Sequence, residues 1–349
     1  TTGRGLIELN GADNVTIDGD NPNTPGTNRN LSIINTEANT VTYTSCVRIA
    51  TSAAVTSADN NTVKNLILTG NATGRNVAGT TSTTGSENTT FGIVISGNAG
   101  ATASGPPTAI TSVTGTAPSG TTVNALLLDN NEINACARAI VFNGAATSVS
   151  TGVTVSNNLI GGSGTLTGIV PFTSPTTTVY TKGIYIAGTT AITITGNTLR
   201  NILSYVVTGI NGIELNSTIG AGVINISNNN IDGVAQNGTT SATVRGIIVS
   251  NAGGAYTVSN NTINNIQQAS NTNVAGLEVN AGAGLIERNK ISKVYNANTG
   301  TFSAWGLCLL SGNNTVIINN FIRDINHDMT LGAAFSTNFG VHRIRVVPA

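Results

Sequence analysis

Charged residues are scarce in this chain. Of 349 residues, 15 are Lys or Arg and 15 are Asp or Glu, so charged residues make up 9% and the formal net charge is zero. A typical soluble domain has about 25%. The charges are scattered singly and form no basic patch for nucleic acid or an anionic membrane surface. No apolar run approaches the roughly 18 residues of a membrane-spanning helix. We therefore expect no nucleic-acid partner and no membrane insertion.

Cysteine is also rare. Cys46, Cys136 and Cys308 are odd in number, widely spaced and without a CxxC pair, which argues against a disulfide framework and against a zinc site. We interpret all three as small core residues. The chain also lacks a phosphate-binding loop, a dinucleotide fingerprint and a GxSxG elbow, so no cofactor is expected.

Hydrophobic residues, by contrast, reach 39%, and Val, Ile, Thr and Asn recur in two alternating motifs. The first is a small residue followed by an apolar, any, apolar triplet, as in Gly183-Ile-Tyr-Ile. In the C-terminal half its starts lie 29, 34, 30, 30 and 34 residues apart. Equivalent motifs start at Gly5, Cys46, Gly92, Ala139, Gly212, Gly246, Gly276, Gly306 and Gly340.

The second motif is an alternating strand that ends in Asn and one further apolar residue, as in "INISNNNI" and "YTVSNNTI". Its alignment predicts a column of equivalent asparagines: Asn71, Asn131, Asn158, Asn197, Asn229, Asn261, Asn289 and Asn320. Asn tolerates the left-handed backbone conformation, so it suits a tight corner between strands. Stacked Asn side chains can also hydrogen-bond along the stack.

These periods predict an all-β fold, a right-handed parallel β-helix of about nine or ten coils spanning residues 1–349 as a single domain. Alternation places apolar residues inward, and stacked coils pair every backbone group with the coil above or below. At the usual strand spacing the rod would be on the order of 45 Å long. Long Thr-, Ser-, Gly- and Pro-rich insertions at 72–91, 98–121 and 161–182 predict a thicker N-terminal half.

The middle position of the first motif should point outward. It holds Glu8, Glu214 and Glu278, which would lie on one face. In other coils it holds Arg48, Val94, Val141, Tyr185, Ile248, Cys308 and His342. The carboxylates are thus diluted, and the apolar residues in the middle of this face predict that loops or a neighbouring molecule cover it.

Few residues suggest a reactive site. Asp13, Asp18 and Asp20 have a spacing that could hold Ca²⁺ from one loop, although Asp18-Gly19-Asp20 is also a turn pattern, which we prefer. His327 with Asp324 and Asp328 could act as a base or metal ligand, but we expect a solvated connecting loop there. We therefore predict no catalytic residue and no metal site.

The combined repeat, G-[I/L]-x-[V/L/I] with x-N-N-x-I, resembles the parallel β-helix repeat of pectate-lyase-like proteins over nearly the whole chain. "LNGADNVTIDGDN" and "NLSIIN" also resemble β-helical stretches of large surface and secreted proteins of Bacteroidota. The second resemblance implies an extracellular adhesin, filament or surface protein. Polygalacturonase-like signatures (Asn-Thr-Asp, Asp-Asp, Gly-His-Gly and Arg-Ile-Lys) are absent.

The expected function is therefore structural: a secreted or cell-surface β-helix acting as an adhesin stalk or a filament subunit. The first and last motifs show no polar cap, so we expect either a piece of a longer protein or coil ends that stack between copies. A surface glycan is a further possible partner. The alternative is a polysaccharide-binding or polysaccharide-cleaving enzyme with its site beneath the long N-terminal loops.

Overall fold

A computed structural model describes most of the chain. The described residues are 2–38, 43–72, 89–96, 107–113, 115–145, 147, 149–162, 179–204, 209–216, 222–236, 242–250, 253–297, 302–312, 314–327 and 344–346. Within them the secondary structure is entirely β, and no helix suitable for crossing a membrane is found. The strands form three parallel sheets, which we name A, B and C.

The strands are numbered β1 to β28 in chain order. Sheet A contains β1 (Gly5–Asn10), β4 (Thr44–Ala50), β7 (Thr89–Ser96), β10 (Arg138–Asn143), β13 (Lys182–Ala187), β16 (Ile210–Leu215), β19 (Val244–Ser250), β22 (Val274–Asn280), β25 (Ala304–Ser311) and β28 (Ile344–Val346). Sheet B contains β2 (Thr16–Asp18), β5 (Thr62–Lys64), β8 (Leu127–Asp129), β11 (Ser150–Ser156), β14 (Thr189–Thr195), β17 (Ile224–Ser227), β20 (Tyr256–Ser259), β23 (Gly284–Glu287) and β26 (Val316–Ile318). Sheet C contains β3 (Leu31–Ile34), β6 (Leu66–Thr69), β9 (Glu132–Asn134), β12 (Leu159–Ile160), β15 (Thr198–Ser204), β18 (Asn230–Gln236), β21 (Thr262–Gln268), β24 (Lys290–Asn296) and β27 (Phe321–His327).

Each coil contributes one strand to each sheet, in the order A, B, C. Nine coils are complete, and β28 adds a tenth strand to sheet A. Every strand pairs only with its equivalents in the coils before and after it. This is the predicted right-handed parallel β-helix, the hand that parallel crossovers almost always take. Nine strand spacings of about 4.8 Å make the described rod roughly 43 Å long.

Aliphatic side chains from all three sheets fill the interior. In the sixth coil Ile213 of sheet A, Ile226 of sheet B and Ile231 of sheet C are fully buried. The register places each of them beside an aliphatic residue of the next coil, such as Ile247 beside Ile213. Full burial of one such side chain contributes about 1.5–3 kcal/mol, so each coil is stabilised mainly by its neighbours.

The small residue of the first motif faces the core. A Cβ on Gly246 would stand 2.5 Å from Cγ2 of Ile263 and 2.6 Å from the carbonyl oxygen of Gly276. The glycine is therefore required by close packing of sheet A on sheet C, and not by the corner conformation that the sequence suggested. In the first coil this position belongs to Leu6, because Gly5 pairs with Ser45.

The asparagine column is present and runs through the interior corner between sheets B and C. The Asn229 side chain donates to Asn261 Oδ1 and to the Ile194 carbonyl, both at 2.9 Å. Its own Oδ1 accepts hydrogen bonds from the backbone N and the Nδ2 of Asn197. The same pattern links Asn131, Asn158, Asn197, Asn229, Asn261, Asn289 and Asn320.

Two details of the ladder prediction were wrong. Asn71 is not a member; it lies beyond β6 and bonds to Thr89 Oγ1 and the Glu37 carbonyl. Its place is taken by Leu66, whose backbone N donates to Asn131 Oδ1 at 3.1 Å.

The left-handed conformation does not belong to the ladder residues either. It belongs to the residue before each one: Asn130, Asn157, Gly196, Asn228, Asn260, Arg288 and Asn319. Asn65, which precedes Leu66 in the second coil, has the same conformation. The corner therefore uses two adjacent residues for two tasks. The first one turns the chain, and the second one bonds the coils together.

Most of the predicted insertions lie outside the described residues, namely 73–88, 97–106 and 163–178. The described segment 107–113 is a part of the second insertion. It packs across the outer face of sheet A, where Ile110 joins a buried apolar cluster.

Candidate functional site

The outer face of sheet A is the candidate site, because many of its outward side chains are buried, whereas most outward side chains of sheets B and C are half-buried or exposed. Two outward columns cross it. One is the middle position of the first motif, and strand pairing confirms that Glu8, Glu214 and Glu278 share it. The other is the residue before the small one, as in Arg138, which pairs with Lys182.

At the N-terminal end, the segment 107–110 is fixed over the first two coils. Arg48 is completely buried, and its Nη2 donates to the Thr108 carbonyl at 2.6 Å. Its Nη1 lies 3.4 Å from Glu8 Oε1, and Arg4 forms a second ion pair with Glu8. Burial lowers the pKa of Arg48, and the Glu8 charge opposes that shift. The two arginines share the Glu8 carboxylate, and their hydrogen bonds to the Pro107 and Thr108 carbonyls hold the segment in place.

Further along, the shielded face becomes apolar. Phe91, Val94 and Val141 point outward and form a buried cluster with Ile110. The prediction that something covers these residues is confirmed, since the cover is a segment of the chain itself. The outer face of sheet A is therefore filled at this place.

A polar cluster occupies the face from the fourth to the eighth coil. Lys182 forms an ion pair with Glu214, which also accepts a hydrogen bond from Asn211 Nδ2 at 2.6 Å. Arg245 Nε lies 2.8 Å from Glu278 Oε1, although its N–H is not aimed at that oxygen. Arg138 lies in the same outward column, since it pairs with Lys182 of the next strand. The cluster thus brings three cations and two carboxylates together among the described residues.

Burial shifts the pKa of Lys182 and of Tyr185 on this face. Burial lowers the pKa of Lys182, Glu214 opposes this shift, and the charges of Arg138 and Arg245 add to it. Burial also raises the pKa of Tyr185, and the Glu214 carboxylate raises it further. Tyr185 accepts a hydrogen bond from Asn216 Nδ2 at 3.1 Å, which lowers its pKa in part.

The cluster contains the residue types of an acid–base site, but its side chains are shielded from solvent and already paired. Glu214 and Glu278 lie two strands apart in one column, about 10 Å at the usual spacing. Each carboxylate is already paired with a cation, and the side chains of Lys182, Glu214, Arg245 and Glu278 are only 15%, 14%, 16% and 5% exposed. Ion pairs of this kind hold neighbouring strands in register, and a polymeric substrate would have to displace whatever shields them.

The last coils return to an apolar outer face. Ala275, Trp305 and Cys308 form a small buried cluster. The prediction that His342 continues the middle column was wrong, because Arg345 of β28 pairs with Cys308. His342 itself lies outside the described residues.

The three aspartates of the first coil each serve a local contact. Asp13 accepts hydrogen bonds from Ser57 Oγ and from the backbone N of Asp59. Asp20 Oδ1 accepts from the backbone N of Asn28 at 2.8 Å. No group of three metal-ligating side chains occurs in the part of the chain that the structure describes.

Asp18 has the largest set of partners. Its Oδ1 accepts from the backbone N of Asp20, as the preferred turn interpretation requires, and from Asn65 Nδ2, while its Oδ2 pairs with Lys64 Nζ at 3.1 Å. The hydrogen bond from Asn65 and then that from Asp20 lower the pKa of Asp18.

His327 lies at the end of β27 and pairs with Asn296, so the expectation of a connecting loop was wrong. Asp324 lies in the same strand with a left-handed backbone (φ 54°) and forms an ion pair with Arg323 at 3.0 Å. Asp328 lies outside the described residues. Asp324 marks the same mid-strand bend as Lys293 in the coil before.

A polar cavity of about 510 Å³ opens at the first coil, lined among others by Arg4, Leu6, Asn35 and Glu37. It is formed where sheets A and C end, and no cluster of acid–base groups lies in its described lining.

The second outward column was not predicted from the sequence. Its members immediately precede the small residue, in "RAIVF", "KGIYI", "NGIEL" and "RGIIV", and the motif was defined as starting one residue later. Strict alternation also places this residue inward. The small residue and the one after it both face the core, so the alternation shifts by one.

Comparison with known proteins adds no assignment: neither family models, nor curated protein sequences, nor solved structures match this chain.

Proposed function

We propose that this chain is a non-catalytic structural β-helix of the cell surface or extracellular space, acting as a filament subunit or an adhesin stalk. The main support is the asparagine ladder, which bonds seven successive corners through the interior of the rod. Such a column joins each coil only to its neighbours, as a stiff repetitive rod requires. The paired charges on sheet A support the same role, because they contact each other.

Exposed apolar side chains favour stacking between rods. Among the described large hydrophobic residues, six of the seven that are exposed lie in the first or ninth coil; the exception is Val223. The six are Leu6, Leu31, Ile34, Val316, Ile318 and Phe321. Apolar surface next to unpaired strand edges is a template for further strands. We propose that a second copy supplies them end to end.

The extracellular location is also a proposal. It rests on the low charge, the abundance of Asn and Thr, and the resemblance of the first coil to β-helical stretches of Bacteroidota surface proteins. The asparagine ladder and the three sheets would be the same in any compartment.

Imaging and light scattering of the purified chain test the stacking. We expect thin rods that lengthen with concentration, with a width independent of length. Ile34→Lys should place a charge on the end face and reduce the mean particle mass, whereas the matched Val223→Lys, in the middle of the rod, should not. Single short rods at every concentration would contradict end-to-end stacking.

The second candidate function is binding or cleavage of an acidic polysaccharide at the polar cluster of sheet A. Three cations, Arg138, Lys182 and Arg245, share one outward column there, and such a row favours an anionic ligand. The test is release of reducing or unsaturated sugar ends from acidic polysaccharides, with Lys182→Met and Lys290→Met compared, since Lys290 lies on sheet C. Activity lost only in Lys182→Met would replace the structural proposal with an enzymatic one.

A further inference from the structure

Two of the three cysteines meet inside the rod. Cys46 belongs to β4 of the second coil, and Cys136 follows β9 in the connection between the third and fourth coils. Both side chains are completely buried, and both are thiols in this structure. The sequence separates them by about 90 residues, a distance at which spacing rules for cysteine pairs give no signal.

The two thiols converge on one short backbone segment. Cys46 Sγ lies 3.7 Å from the carbonyl oxygen of Thr69. Cys136 Sγ lies 2.9 Å from the point where a Cβ on Gly70 would stand, and it donates to the Asn134 carbonyl at 3.2 Å. Gly70 therefore leaves the space that the Cys136 thiol occupies, directly beside the site of Cys46.

The electrostatics of Cys136 agree with this placement. The pKa of Cys136 is raised well above its ordinary value, first by a hydrogen bond with the Cys46 side chain and then by burial. Cys308 is remote from both, because β25 is seven strands from β4 in sheet A, about 34 Å at the usual spacing.

We propose that Cys46 and Cys136 are a disulfide site, and that the bond staples the second coil to the start of the fourth when the chain folds under oxidising conditions. This inference does not depend on the proposed structural function or on end-to-end stacking. The position is favourable, because the ladder begins only at Asn131 of the third coil and the second coil has Leu66 at the equivalent position.

The reaction needs a small-molecule disulfide, such as oxidised glutathione, as the oxidant. One cysteine thiolate attacks it and forms a mixed disulfide, which releases one glutathione thiol. The second cysteine then displaces the other glutathione, and the S–S bond forms between the two protein sulfurs. The two thiol hydrogens of the protein end on the two glutathione molecules. Because a buried thiol with a raised pKa holds little thiolate, the exchange belongs to folding, before the coils close.

Peptide mapping tests the proposal on the unmodified chain. The protein is unfolded in guanidinium, refolded in a mixture of oxidised and reduced glutathione, alkylated under denaturing conditions and digested with trypsin. The three cysteines fall in separate tryptic peptides, residues 30–48, 76–138 and 294–323. We expect the first two peptides to be linked and the third to be alkylated. Alkylation of both Cys46 and Cys136, or equal linkage to Cys308, would overturn the inference.

Matched variants add a second readout. Cys308→Ser should keep the linked pair, and Cys46→Ser should lose it and leave Cys136 open to alkylation. Closing a loop of about 90 residues raises the folding equilibrium constant by on the order of 10³-fold in the chain-entropy model. Reduction with dithiothreitol should therefore lower the urea midpoint of the oxidised wild type and leave that of Cys46→Ser unchanged. An equal response of the two proteins would contradict the staple.

Discussion

The substitution Asn229→Ala removes one member from the middle of the asparagine ladder. Its side chain takes part in four hydrogen bonds: two donated, to Ile194 O and Asn261 Oδ1, and two accepted, from the backbone N and the Nδ2 of Asn197. The residue is 1% exposed, so water does not readily replace these partners. At roughly 1 kcal/mol for each bond, we expect the free energy of unfolding to fall by about 4 kcal/mol.

The neighbouring residue provides a matched control. Asn228 is exposed and has a φ of 58°, a conformation that glycine adopts without strain. Asn228→Gly should therefore change stability by about 0.5 kcal/mol or less. The two variants differ by one position in the chain and separate the ladder from the corner.

Urea denaturation followed by circular dichroism measures the change, and amide hydrogen exchange shows where it acts. Because a repeat protein can open one section at a time, faster exchange should be concentrated at Asn197 and in the strands of the fifth to seventh coils. A loss below about 1 kcal/mol for Asn229→Ala, or an equal loss for Asn228→Gly, would refute the argument that the ladder bonds stabilise the stack.

Three further predictions concern packing and charge. Gly246→Ala should lower the free energy of unfolding by about 1–3 kcal/mol because its Cβ would overlap a core isoleucine, whereas Gly209→Ala, with its nearest contact at 3.3 Å, should be close to neutral in the same urea assay. Glu214→Gln should lower the pKa of Tyr185 toward its ordinary value, since a negative charge beside the phenol is removed; an ultraviolet titration, with Tyr185→Phe identifying the signal, checks this, and an unchanged pKa would contradict the assigned contact. Asp18 has a lowered pKa, so its contribution to stability is present above its pKa in the unfolded chain and is lost as the pH falls through its pKa in the folded protein. On acidification below about pH 4, the free energy of unfolding of the wild type should therefore fall more than that of Asp18→Asn. Equal losses in the two proteins would show that Asp18 contributes nothing.

The fold could be predicted from the sequence because each regular coil requires apolar residues at its inward positions and asparagine at its ladder corner. Ile213, Ile226 and Ile231 must face inward, and the ladder corner repeats at Asn197, Asn229 and Asn261 with a spacing of 32 residues. A pattern that recurs with matching residues in several coils fixes the alignment of those coils without any knowledge of the coordinates.

The prediction failed where a coil departs from the consensus. In the second coil the corner reads Asn65-Leu66, and the alternation of β5 resembles that of β6, so the motif was aligned one strand too late, on Asn71. Side-chain period alone does not distinguish consecutive strands. The position of the left-handed residue does, but that conformation is not visible in the sequence.

Contacts between residues that are far apart in the sequence were the hardest to predict. Ile110 covers sheet A because the segment 107–113 crosses its outer face. Cys136 approaches Cys46 because of the path of the connection between β9 and β10. The apolar residues at the outward position of the first motif predicted a covered face but did not identify the segment that covers it.

The ladder corners at Asn197, Asn229 and Asn261 are equally spaced, 32 residues apart, and this has a consequence for how such a chain can change in length. Removing residues 229–260 would join Asn228 to Asn261, and the new neighbour of Asn197 would carry the same side chain in the same orientation. Duplicating the segment would have the converse effect. Unequal recombination between the repeats of a gene can therefore lengthen or shorten the protein by one turn at a time without creating a mismatched junction.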